Sequence, residues 1–151
     1  MIWPIGRAYK GRVMDTTRRT LLQMLPALAA SSAFAADTPT LSSFVKPFGE
    51  LPVKKNGANE SREILHGVTH SGCHLEVHET TLGAGMEPHP PHRHENEEMF
   101  LMLKGTLAVT IEGKTTVIGS GSAVFVHSGE LHGVRNPGTE PTQYFVVEIG
   151  I

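Results

Sequence analysis

Two imidazoles and a carboxylate stand close together in the stretch His92-Arg93-His94-Glu95-Asn96-Glu97-Glu98. In an extended chain, residues two apart point to one face, so His92 and His94 can reach a single metal ion together. Glu98 follows at an even step and keeps to that face if the chain stays extended or makes a compensating bend. A further histidine, His132, sits in a distant segment, Gly121–Asn136, and joins the others only if folding brings it there. The chain has nine histidines, all between His66 and His132, a clustering that calls for a function beyond packing.

Such donors need a rigid frame. The 16 Gly and 10 Pro in 151 residues, with charged residues at 19%, favour short strands joined by tight turns in one domain. Short β-rich runs are expected at 63–65, 74–82, 99–104, 107–112, 115–118, 123–127 and 143–149. Glu112-Gly113-Lys114, Gly119–Gly121 and Asn136-Pro137-Gly138 punctuate them as hairpin turns would. No crossover helix is evident, so the fold class is all-β and antiparallel. Residues 36–62, rich in Pro, Ser, Lys and Asn, are expected to be an extended arm or linker.

The spacing of these groups resembles that of the cupins. His92, His94, Glu98 and Gly105 follow the family's first motif, and Gly121, Gly129, His132 and Asn136 follow its second, over roughly 63–149. Two positions depart. Gly85 stands one residue farther from His92 than the family spacing, and His127 stands where proline is usual, which restores a backbone donor at a strand end. The resemblance implies a single jelly-roll-like antiparallel β-barrel over 63–151, holding one divalent transition metal with His92, His94, Glu98 and His132. Three imidazoles and a carboxylate suit Mn, Fe, Co, Ni, Cu or Zn, and the lack of thiolates argues against cluster chemistry. The alternative is a metal-free barrel that keeps these side chains as hydrogen-bonding core residues, which leaves several buried polar groups to satisfy.

The resemblance does not choose a reaction, because cupins include dioxygenases, decarboxylases, isomerases, hydrolases and non-enzymatic binders. The leading expectation is a small metal-dependent enzyme of dioxygenase or decarboxylase type, with an oxygen-rich small molecule such as a polyphenol or organic acid as its partner. A non-catalytic ligand- or metal-binding barrel is the alternative, and a sugar isomerase or epimerase, for which Lys104 or Tyr144 would be the base, is a third. His89 and His127 lie near the ligand segments and can be proton carriers or exposed rim residues. Phe100 and Met102 share the parity of Glu98 and are expected to line the pocket or simply fill the core. Glu95 and Glu97 read as solvated loop charges. His66, His70, His74 and His78 recur at helical spacing, but Gly67 and Gly72 break a helix, and on a strand His74, Glu76 and His78 read as a polar exposed face.

The remaining features concern address and partners. From Met14, the reading MDTTRRTLLQMLPALAASSAFAAD has a basic start, an apolar run over 21–34 and a small-residue site at Ala33-Phe34-Ala35, so residues 1–35 read as an export signal whose true start is Met14. The apolar run is interrupted by Pro26 and falls short of the roughly 20 residues that span a bilayer, so no membrane anchor is expected in the mature form. Arg18-Arg19 resembles the twin-arginine signal of proteins exported folded, which points to a periplasmic location. Folding before export would let the protein trap manganese or iron ahead of tighter-binding copper and zinc, so Mn or Fe is favoured. Beyond residue 35, fourteen acidic residues face eight basic ones, which gives no footprint for nucleic acid. A single cysteine, Cys73, cannot make an intramolecular disulfide. The exposed edges of so small a barrel make a homodimer the expected assembly.

Overall fold

The computed structural model describes residues 38–150, so the expected export signal lies outside the described residues. Nine strands are present: β1 Lys54–Asn56, β2 Asn59–Val68, β3 His74–Leu82, β4 Glu97–Lys104, β5 Thr106–Ile111, β6 Lys114–Gly119, β7 Ala123–Val126, β8 His132–Arg135 and β9 Thr142–Gly150. They form two antiparallel sheets, one in the order β1-β2-β3-β9-β4-β7 and one in the order β6-β5-β8. The ladders themselves do not close into a ring. Among the described residues a single 3₁₀ turn, Phe48–Glu50, is the only helical element, and no helix is long and apolar enough to cross a membrane.

Alternation along the strands places the core. Phe100 and Met102 on β4, Tyr144 and Val146 on β9, Leu82 on β3 and Val126 on β7 are buried from one sheet, and Leu107, Val109 and Val134 from the other. The core therefore lies between the sheets, and each such side chain contributes about 1.5–3 kcal/mol by leaving water. The opposite face of the large sheet is also apolar. Met99 and Leu101 of β4 pair with Val147 and Phe145 of β9, Phe125 of β7 pairs with Met99, and Leu101, Leu103, Phe125 and Ile149 are exposed.

At the end of the sandwich away from the ligand loops, Asn136 is wholly buried and fully partnered. Its amide donates to the carbonyls of Leu82, Gly83 and Glu140 at 2.8–3.1 Å, and its Oδ1 accepts the Gly138 amide at 2.9 Å. The second-motif asparagine is thus a corner brace.

Several strands differ from expectation. β1 has no apolar residue and is made by the turn at Gly57, whose φ of 60° starts a two-residue hairpin with Asn56 opposite Asn59. β2 extends far beyond 63–65, and β8 was not expected, because His-Gly-Val-Arg carries no apolar alternation. The reading of His74, Glu76 and His78 as an exposed face holds at His74, which is exposed, and is corrected at His78. His78 shares its parity with Thr80 and the buried Leu82, and it faces the cavity between the sheets.

The segment before β1 lies along β2. Leu41 and Val68 bond through their backbones, and a Cβ on Gly67 would meet Leu41 Cδ2 at 2.8 Å and also clash with the Pro39 carbonyl, so only glycine admits this approach. Farther on, Phe48 sits under the Arg62 guanidinium, which donates to the buried Glu79 carboxylate at 2.8 Å. That carboxylate is further held by the Thr81 hydroxyl.

Candidate metal centre

The loop that enters β4 and the loop that enters β8 meet at one point. His92 and His132 form an antiparallel bridge, with their amides and carbonyls exchanging bonds of 2.9 and 3.0 Å, and the Gly129 amide donates to the His94 carbonyl at 2.9 Å. Pro90 and Pro91 stiffen the approach to His92, and Pro91 packs where a Cβ on Gly133 would come within 3.0 Å of its ring. These backbone ties bring three imidazoles together, with ring centroids 4.8–5.1 Å apart. One nitrogen from each of His92, His94 and His132 lies within 4.8 Å of the others, a spacing that can hold a metal ion.

Glu98, at the start of β4, completes the cluster. Its Oε2 is 2.8 Å from His132 Nε2 and 3.6 Å from His94 Nε2. Four buried atoms here have no hydrogen-bond partner: His92 Nδ1, His94 Nε2, His132 Nε2 and Glu98 Oε2. The tautomers explain why. His94 Nδ1 donates to the Asn96 carbonyl at 2.8 Å and His132 Nδ1 to the Glu130 carbonyl at 2.9 Å, since a carbonyl can only accept. In the neutral rings both Nε2 atoms then present lone pairs to a carboxylate oxygen. Lone pairs converging in a buried space repel unless a cation stands among them, so the donor set fits a divalent metal.

The electrostatics at His92 agree with this. The His92 imidazole titrates below its usual range, chiefly because burial disfavours its charged form and next because His89, His132 and His94 crowd it. A neutral ring is the ligand form. Burial likewise lifts the Glu98 carboxyl above its usual range; Glu148 adds to the rise, while His132 and His94 oppose it.

Beside the cluster lies a cavity of about 290 Å³. Phe100, Val134, Tyr144 and Val146 give it apolar lining, and Asn56, Asn59, Ser61, His78 and Thr80 polar lining. The family model for the cupin domain, Cupin_2, matches residues 78–148, a span that contains the whole cluster. Residues 78–148 are a cupin domain. Among solved structures it is similar to an RmlC-like cupin from Shewanella frigidimarina, at 17% identity and a TM-score of 0.62 over 73% of this chain and 93% of that one. It is also similar to a predicted oxalate decarboxylase from Thermotoga maritima, at 21% identity and a TM-score of 0.60 over 72% and 100% of the two chains. A third is the polyketide cyclase RemF from Streptomyces resistomycificus, at 19% and a TM-score of 0.58 over 72% and 80%. At these identities the likeness is one of fold. No curated protein matches the chain in sequence.

Of the other residues singled out in this cupin, His89 lines the cavity and meets the His92 ring edge-on at 4.4 Å, and Phe100 is part of the apolar lining. Met102, by contrast, is buried in the core and is absent from the lining, because one more step along β4 carries it beyond the cavity floor. His127 also lies off the lining, exposed and 3.2 Å from Glu130 Oε1. Lys104 is exposed outside the cavity, whereas Tyr144 reaches it. Burial pushes the Tyr144 phenol well above its usual range, so it stays protonated and is a poor base. Sequence reasoning missed His78 and Glu148, both of which line the cavity. Glu148 faces Glu98 across the β4–β9 ladder and accepts from Asn96 at 3.1 Å. The signal for both was their even spacing from buried apolar residues, Leu82 and Val146.

Proposed function

We propose that this cupin is a metal-dependent enzyme of dioxygenase or decarboxylase type, acting on an oxygen-rich small molecule such as a polyphenol or organic acid. The observation that carries the reading is the convergence of four buried, unpartnered donor atoms, three of them on residues (His92, Glu98 and His132) that line a cavity of mixed apolar and polar surface. His92, His94, Glu98 and His132 would hold one divalent ion, with manganese or iron favoured. Such an ion, when bound, supplies Lewis acidity and a template for substrate oxygens. The chain's own residues do the rest. Phe100, Val134 and Val146 exclude water from part of the cavity, and Asn56, Ser61, His78 and Thr80 offer hydrogen bonds to hydroxyl or carboxylate groups. His89 commits Nδ1 to the Pro90 carbonyl at 3.1 Å, which leaves Nε2 as its proton-exchanging atom at the cavity. Tyr144, protonated by its burial, can donate a hydrogen bond but not abstract a proton, which counts against the isomerase reading.

The cavity beside the ligands favours an enzyme over a storage barrel, since storage needs no room for an organic molecule. The test is elemental analysis of the purified protein beside His94→Ala and His132→Ala, followed by oxygen-uptake and carbon-dioxide-release assays on catechols and small hydroxy and dicarboxylic acids. Near-stoichiometric metal that both substitutions remove, with turnover in either assay, is the expected result. A wild-type protein that takes up no transition metal would sink the reading.

Two further proposals accompany it. Export through the twin-arginine route to the periplasm rests on Arg18-Arg19 and the apolar run after it. A homodimer is supported by the apolar outer face of the large sheet around Leu101, Leu103 and Phe125, where two copies would meet through the same patch.

A further inference from the structure

Between the two histidines of the first ligand loop stands Arg93, and its guanidinium reaches into the second. Nη1 donates to Glu112 Oε1 at 2.5 Å and to the Gly129 carbonyl at 2.6 Å, while Nη2 donates to Glu112 Oε2 at 3.3 Å. The same Glu112 Oε1 accepts the Leu131 amide at 2.8 Å, and the Glu112 amide donates to the Leu131 carbonyl at 2.8 Å. One forked ion pair therefore ties the residue between His92 and His94 to Gly129 and to the residue just before His132.

Glu112 holds this place against its backbone preference. It is the only non-glycine residue with positive φ among the described residues, at 44°, and Gly113 follows at 79°. A two-residue hairpin with both values positive favours Asn-Gly or Asp-Gly. A glutamate persists in such a conformation where its surroundings hold it. Nor does fold stability account for the pair, because both side chains are about half exposed and exposed ion pairs contribute little. What a shorter residue at 112 would lose is the reach to Arg93 and Leu131 together.

We propose that Arg93 and Glu112 form a positioning clamp for the metal centre, fixing the 92–94 segment against the 129–132 segment so that the imidazoles keep their spacing and the metal leaves slowly. The inference rests on the reading of His92, His94 and His132 as metal ligands. Neither clamp residue belongs to the proposed ligand set. Each acts through the loops it joins, as outer partners of metal ligands do.

The test uses the full-length protein loaded with cobalt(II), whose visible absorption reports ligand geometry. Wild type, Arg93→Ala and Glu112→Asn are each challenged with excess chelator, and the melting temperature of each metal-free form is measured alongside. The expected result is cobalt release roughly 10- to 100-fold faster in both variants, with an altered absorption spectrum. The metal-free melting temperature of Glu112→Asn should be unchanged or higher, since asparagine suits the turn. Arg93→Lys, which keeps the charge but not the fork, should restore only part of the retention. Wild-type release rates in both Arg93→Ala and Glu112→Asn would overturn the clamp. So would loss of retention confined to Arg93→Ala, which would assign the effect to the Gly129 contact alone. A wild type that binds no cobalt fails earlier and differently, by removing the ligand reading on which the clamp stands.

Discussion

The two ends of this cupin treat buried polar groups in opposite ways. At one end Asn136 is completely enclosed, and its side-chain nitrogen and oxygen are both hydrogen-bonded to the backbone. At the other, His92, His94, Glu98 and His132 each direct a buried nitrogen or oxygen atom at one another, and no group outside the cluster satisfies them. The polar groups at the first end finish their work on folding, because satisfied hydrogen bonds hold the corner in place. Those at the second are left with free donor atoms, and an unsatisfied buried polar group costs about 1–3 kcal/mol. Glu79 shows that burial alone is not the distinction, since it is as buried as Asn136 and is fully occupied by Arg62 and Thr81.

The largest effects separate the two ends by their response to metal. Loading wild type with manganese or iron at 100 times the dissociation constant should raise its unfolding free energy by about 2.7 kcal/mol. Glu98→Leu should abolish that gain, yet in the metal-free protein it should be as stable as wild type or more so, because an apolar side chain replaces an unpartnered carboxyl. Denaturant unfolding with and without metal reads both signs, and a metal-free Glu98→Leu that is several kcal/mol weaker would show that the carboxylate is structural after all. Asn136→Ala should do the reverse. It leaves three backbone carbonyls and one amide without their partner, so it should lose about 2 kcal/mol whether or not metal is present. A metal-dependent loss there would erase the contrast between the ends.

Much of this contrast was legible in the sequence, and the part that was not has a physical cause. The spacing of His92, His94, Glu98 and His132 follows the two motifs, so the cluster was legible, whereas Asn136 was matched as a motif position and its bracing bonds appear only in the fold. The strands β4, β5 and β9 carry their alternation openly. β3 does not, because the outer face of the large sheet is itself apolar. Leu75 and Val77 therefore look like the buried set and His78 like the solvated one, yet all three are half-buried and it is His78 that faces the cavity. Alternation identifies two faces but cannot say which is inward when both carry apolar residues. β1 was illegible for another reason: Lys54, Lys55 and Asn56 are all exposed, and only the Gly57 turn and the pairing with β2 make them a strand. That hairpin nevertheless brings Lys54 and Asn56 to the cavity, so part of the ligand-facing surface arises from a segment with no strand pattern.

The smallest expected effect concerns His127, which sequence position alone placed near the chemistry. Its side chain is 65% exposed, and its pairing with Glu130 at 3.2 Å is a surface contact of the kind worth about 0–1 kcal/mol. The tie that matters to the cluster at Glu130 is its backbone carbonyl, which fixes the His132 tautomer and does not depend on the side chain. His127→Ala should therefore change unfolding free energy by no more than about 0.5 kcal/mol and leave metal content and turnover at wild-type levels. His89→Ala, one imidazole away at the cavity itself, should keep its metal and lose turnover, since it touches His92 and the cavity while binding nothing else but the Pro90 carbonyl. Measured together, the two substitutions ask whether facing the cavity, rather than lying beside a ligand in sequence, decides which histidines act. If His127→Ala lost turnover while His89→Ala kept it, the cavity beside the cluster would not be where the substrate binds.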